Sequence, residues 1–170
     1  ESLWSPLAGE AIAGPLAGSR LEVLRVWQEP RDLFLGRAPR ASVLARPDRA
    51  FDYRVSPYKA YWVDETLHFP LAARDDRYHP KELVLGVVAG GTARAYLGSQ
   101  LTAAGGRIAD EIAGHRIRIA YDSDTCVMQY EAPDEVQAIE AYWFAWKAFH
   151  PDTQLWHPDT YHDKGDGLTK

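Results

Sequence analysis

The tetrapeptide His-Pro-Asp-Thr stands twice near the C-terminus, at 150–153 and 157–160, and His162 and Asp163 follow closely. Three imidazoles and several carboxylates within fourteen residues form a donor set suited to Zn, Cu or Ni. The same residues are turn formers, since Asp accepts hydrogen bonds from the backbone just ahead of it. No fixed ligand spacing, such as two Cys-x-x-Cys pairs, accompanies them. Cys126 and Met128 lie two apart and share one face if their segment is a strand. A thiolate beside a thioether suits Cu(I), although buried Cys and Met are also ordinary core residues. The metal-ligand candidates are therefore His150, His157, His162, Asp163 and Cys126, with Cu or Zn as the ion; without such a site no cofactor is expected.

A second cluster gathers Asp75, Asp76, Arg77, His79 and Lys81. An Asp–His pair can do acid–base work, and His79 with Lys81 could hold an anion. The catalytic candidates are Asp76, His79 and Lys81; the alternative is a loop tied by ion pairs to the strand that follows. Over residues 47–81, which include the cluster, Phe51, Tyr53, Tyr58, Tyr61, Trp62, Phe69 and Tyr78 crowd one Pro- and Asp-rich stretch. Seven rings are too many for a disordered linker, so an ordered surface loop is expected, with Tyr58, Tyr61, Trp62 and Arg77 as candidate binding residues. No Ser sits in a Gly-x-Ser-x-Gly elbow, and the glycines at 86–91 lack the Lys-Ser/Thr of a phosphate loop.

The bulk numbers bound what these groups can serve. With 46% hydrophobic and 25% charged residues over 170 positions, the chain is expected to fold as one domain. The net charge of −5 argues against nucleic acid, whose phosphates require a basic surface. The charge is uneven: residues 120–170 hold ten acids and three Lys, leaving the rest at about +2. One Cys excludes an intrachain disulfide. No apolar run reaches the ~20 residues of a membrane span.

The elements that must position these groups follow from periodicity. Pro-Leu-Ala-Gly occurs twice, at 6–9 and 15–18; each Pro fixes φ and each Gly admits φ > 0, so residues 1–18 should fold back on themselves. Strands are expected over 21–26 and 41–45, with a helical turn at 32–37 between them. A Gly-Gly turn should join strands at 83–88 and 92–97, and a second hairpin should join 107–112 to 116–121. In the latter, Ile117, Ile119 and Tyr121 face one way and Arg116 and Arg118 the other. A fifth strand is expected over 125–131. Ile139, Tyr142, Trp143, Trp146 and Phe149 then take helical spacing, the helix beginning after Pro133-Asp134 or nearer Ala141 and stopping before Pro151. Helix, Pro and short strand also succeed one another at 32–44. There Phe34, Pro39 and Val43 stand 112 residues ahead of Trp146, Pro151 and Leu155, a hint of internal duplication.

The fold class expected is mainly β (α+β): an antiparallel meander or distorted barrel with a C-terminal aromatic helix packed on it. Four stretches make up one domain: a double-turn segment with a short helix (1–46), an aromatic loop (47–81), a β meander (82–131), and a helix with an acidic, His-rich tail (132–170). Trp143, Phe144, Trp146, Phe149, Leu83, Leu85, Val87, Ile117, Ile119 and Tyr121 are the expected core.

Four ordered blocks carry a family likeness. They are Trp4-Ser-Pro-Leu with the 9–18 segment; Asp52-Tyr-Arg with Pro57-Tyr58 and Phe69-Pro70; Asp75-Asp-Arg with Pro80-Lys-Glu-Leu-Val-Leu-Gly and Ala93-Arg-Ala-Tyr; and Trp143-Phe-Ala-Trp with Ala148-Phe-His-Pro-Asp-Thr. The chain resembles the bacterial and archaeal domain-of-unknown-function family 3179. The resemblance implies an exported protein, periplasmic or extracellular, with two related halves, the first lying ahead of Glu1. It supplies no activity, cofactor or catalytic residue. A Cys-Pro-x-Cys-Gly-like stretch found in the family's first half is absent, and the part after Tyr130 is short and lacks a second Ser-x-Trp block. The expected function is a non-catalytic binding or accessory subunit with a protein partner or larger complex. The alternatives are a metal-binding protein and an enzyme using Asp76, His79 and Lys81.

Overall fold

A computed structural model describes residues 1–22, 24, 26, 28–45, 55–68, 70–71 and 74–158. The Pro-Leu-Ala-Gly turns behave as expected. Strands β1 (Leu3–Ser5) and β2 (Glu10–Ala13) pair antiparallel across the first. Gly9 and Gly18 both take positive φ, 66° and 85°. The chain then returns along β2, with Gly18 N–H donating to Ala11 O and Ala11 N–H to Ser19 O.

Helix α1 (Arg31–Arg37) follows, and α2 (Lys59–Val63) lies in the aromatic loop. The strands expected at 21–26 and 41–45 do not form among the described residues. Leu24, Val26, Val43 and Leu44 are exposed; an apolar alternation becomes a strand only where a neighbouring edge accepts its hydrogen bonds.

The body of the molecule has three layers. Strands β3 (Leu83–Ala89) and β4 (Thr92–Leu97) form the Gly90–Gly91 hairpin. Helix α3 (Gly98–Ala103) leads to β5 (Arg107–Ile112), β6 (His115–Asp122) and β7 (Val127–Glu131), an antiparallel three-stranded sheet. Then come β8 (Gln137–Tyr142), α4 (Trp143–Phe149) and the two-residue β9 (Gln154–Leu155). The central sheet has the order β8-β3-β4-β9, with β9 parallel to β4. The meander is thus divided between two open sheets, and no barrel closes among the described residues.

Central strand β3 is buried on both faces, as its near-continuous apolar run permits. Leu85, Val87 and Ala89 join Ile108, Ile117, Ile119 and Met128 between the sheets. Val84 on the other face joins Leu97, Trp143 and Trp146 under α4. At the margin between the sheets, the Asp110 carboxylate accepts hydrogen bonds from Arg94 and the Tyr96 hydroxyl, each 2.7 Å.

Three expectations are corrected here. Ile139 and Tyr142 lie on β8, not on the helix, which starts at Trp143; their i, i+3 spacing is helical, but pairing with the β3 edge makes the segment a strand. Phe149 is exposed at the last turn of α4. Tyr121, Leu83 and Phe144 are half-buried, not deep core.

Candidate functional site

The described residues of 55–80 run along the α4 side of the central sheet and carry most of the singled-out groups. Short helix α2 cannot be held by its own hydrogen bonds, since a single helical turn is unfavourable in water. Lys81, at the mouth of β3 and buried, supplies the missing constraint. Its ammonium donates to the carbonyls of Tyr61, Asp64 and Thr66, the last at 2.9 Å. It also lies 3.6 Å from the Tyr61 ring centroid. A lysine at a helix C-terminus satisfies carbonyls that have no intrahelical donor, and the ring face adds a cation–π attraction.

A second tie lies seventeen residues on from Tyr58, at Asp75. The Asp75 carboxylate accepts from Arg77 Nε at 2.9 Å and Nη2 at 2.5 Å, with Lys147 Nζ 3.7 Å away. The Arg77 hydrogen bonds, against the opposing effect of burial, hold this carboxyl below the usual carboxylate range. The Asp75 backbone carbonyl accepts from Trp143 Nε1 at 3.1 Å. Arg77, singled out for binding, thus braces Asp75 within the loop, and Asp75 is the residue that joins the loop to Trp143 and Lys147 of α4.

Clamped in this way, the loop presents a run of rings. Tyr58 packs on Trp62 with centroids 6.2 Å apart, and Tyr61 meets Trp62 edge-on at 5.9 Å. Trp62 lies 5.3 Å from Tyr142, and Tyr142 stacks on Phe144 at 6.3 Å with planes 9° apart. Tyr58 and Trp62 are exposed, with exposed Val55 and Val63 beside them. The structure therefore brings together Tyr58, Tyr61 and Trp62 and adds Tyr142 and Phe144. Sequence reasoning missed both: it set Tyr142 on the helical face with Trp143 and placed Phe144 in the core, whereas Tyr142 ends β8 and Phe144 lies in the first turn of α4.

The catalytic candidates are not assembled. Asp76 is exposed and pairs with Arg74 at 2.6 Å. Lys81 is enclosed by the three carbonyls, and His79 accepts the Lys81 backbone N–H at 3.2 Å through Nδ1. Asp76 and Lys81 thus direct their charges at different partners.

The metal candidates are likewise dispersed. His150 caps α4, its ring 3.9 Å from that of Trp146, and burial lowers its pKa. His157 Nδ1 lies 3.0 Å from Gln100 Nε2, which also donates to the Tyr78 hydroxyl at 2.8 Å. Cys126 is exposed in the turn before β7 with φ 56°, whereas Met128 is fully buried. The two do not share a strand face, because the strand begins one residue after the cysteine. Burial, then the nearby Cys126 thiol, pushes the Tyr121 phenol up to about 12. Among the described residues no three His, Cys, Asp or Glu side chains group as metal ligands. His162 and Asp163 lie outside the described residues, as do Phe51, Tyr53 and Phe69. Among the described residues no helix is long and apolar enough to cross a membrane.

No curated protein and no solved structure matches the chain. A family described as protein of unknown function (DUF3179) matches residues 1–135, which include α2, Lys81 and the Asp75–Arg77 pair. The match ends two residues before β8, so Tyr142, Phe144 and the helix beneath them lie beyond it. Covering more than half of the chain, it places this protein in the DUF3179 family.

Proposed function

We propose that this chain is a non-catalytic binding or accessory module of an exported protein, and that the Tyr58–Trp62–Tyr142–Phe144 ring surface contacts a protein partner. The observation that carries this reading is the pairing of exposed rings with a rigid support. Lys81 fixes the end of α2 and the residues after it at three carbonyls, and Asp75, braced by Arg77, ties the loop to α4. Rings held in one arrangement before contact lose little entropy on binding. Aromatic anchors flanked by aliphatic groups, here Val55 and Val63, are the usual centre of a protein–protein contact. The periplasmic or extracellular setting follows from the family resemblance.

The test uses protein isolated from its native envelope or medium fraction together with whatever it retains. The double variant Tyr58→Ser, Trp62→Ser should lose the retained partner while its unfolding midpoint stays near that of the parent. A partner retained undiminished removes the ring surface from the function. Recovery of the protein solely from the cytoplasm removes the exported setting.

A further inference from the structure

The two edges of the central sheet are treated differently. At one, β9 pairs with β4, and Trp156 N–H donates to Ala95 O at 3.0 Å. The other is the outer side of β8. In the ladder with β3, Leu83 stands opposite Tyr142, Val84 opposite Ala141, Leu85 opposite Glu140 and Gly86 opposite Ile139. Just beyond it, Trp143 N–H donates to Glu82 O at 2.9 Å, which makes Glu82 and Trp143 a hydrogen-bonded pair. Antiparallel alternation then turns the main-chain groups of Ala141 and Ile139 towards β3 and those of Glu140 and the Tyr142 N–H away from it. Among the described residues no strand pairs with β8 on that outer side, and no loop carbonyl accepts the N–H of Glu140 or Tyr142.

Glu140 gives this edge a charge. Its opposite neighbour Leu85 lies in the core between the sheets, so the Glu140 side chain leaves the strand on that same face. The carboxyl is half-buried, and burial alone raises its pKa, with no cation near enough to lower it. A single acid among the uncharged Ala138, Ile139 and Ala141 discourages two identical edges from pairing. It favours instead a strand that brings a positive charge.

We propose that the partner protein adds an extended segment to β8 as a further strand of the central sheet, with a Lys or Arg of that segment over Glu140. Such addition draws affinity from main-chain hydrogen bonds and selectivity from alternate side chains. The ring surface reaches the same edge at Tyr142, which meets Trp62 and stacks on Phe144. The inference therefore rests on the protein-binding reading above and gives the form of the bound segment.

The test screens a displayed library of random short peptides against the purified protein and follows amide hydrogen exchange with each synthetic binder. In the free protein the Glu140 and Tyr142 amides should exchange faster than those of Ile139 and Ala141. A bound peptide should slow both by at least ~10-fold, carry one Lys or Arg among β-branched residues, and lose binding when its alternate amides are N-methylated. Glu140→Gln should weaken it about 10-fold, and Glu140→Lys should select acidic peptides instead. A library that yields no binder, or binders that leave both amides unprotected, overturn the added strand. Binders indifferent to both Glu140 variants overturn the basic residue. Unprotecting binders that are lost in the Tyr58→Ser, Trp62→Ser variant leave the ring surface standing without the strand. Binders that protect β8 and hold to that variant undiminished keep the strand and remove the rings. Protection that grows with protein concentration alone overturns the proposal in favour of pairing between copies.

Discussion

Two short aromatic helices of this molecule have opposite fates. Both α2, Lys-Ala-Tyr-Trp-Val, and α4, Trp-Phe-Ala-Trp-Lys-Ala-Phe, are mostly apolar. Yet α2 leaves Trp62 at the surface, while α4 buries Trp143 and Trp146 completely. The cause lies in what each faces. Under α4 the sheet has Gly86, where a Cβ would come within 2.2 Å of the Trp146 ring. Both indole N–H groups find acceptors, Trp146 on the Thr153 hydroxyl at 2.9 Å and Trp143 on the Asp75 carbonyl. A large ring can be buried only where a vacancy receives it and its polar atom is satisfied. Helix α2 meets no such vacancy and is held through its main chain by Lys81.

The largest expected effect is on the buried member of the pair. Trp146→Ala should cost about 3–5 kcal/mol in urea unfolding, whereas Trp62→Ala should stay within about 1 kcal/mol; equal losses would erase the contrast. Gly86→Val should cost about 3 kcal/mol by overpacking against the indole, and an unchanged midpoint would show that the ring does not lie there. Lys81→Met leaves three carbonyls without their donor and should cost about 1–3 kcal/mol. It should also speed protease cleavage within 55–68 while the fluorescence of the α4 indoles stays constant. The smallest effect concerns pH. Burial depresses the His150 pKa in the folded state, so the unfolded chain takes up the proton first. Stability is therefore full above about 6.5 and falls as pH drops through the lower folded value. His150→Gln should flatten that part of the profile, and a variant with the parent's slope would place the titration elsewhere.

Much of the layer structure could be read from alternation. The inward Ile117 and Ile119 with outward Arg116 and Arg118, the Gly90–Gly91 hairpin and the Pro-Leu-Ala-Gly turns all form as their residue chemistry requires. What escaped is what depends on distant partners. No local signal says that β8 inserts beside β3: the i, i+3 spacing of Ile139 and Tyr142 reads as helix, and only the distant β3 edge overrides it. Nor does any signal divide the meander, since sheet membership depends on which edges meet. The candidate surface was half legible: Tyr58, Tyr61 and Trp62 stand out by type, but their support does not. Lys81 reads in sequence as a catalytic or anion-holding candidate beside His79, and only the carbonyls 15 to 20 residues earlier reveal it as a clamp.

The contact between Trp62 and Tyr142 spans eighty positions of the chain. Tyr142 is placed only when β8 has paired with β3, so the ring surface is complete only in a chain that has made this long-range pairing. A nascent polypeptide released before that step shows the same rings without their stack.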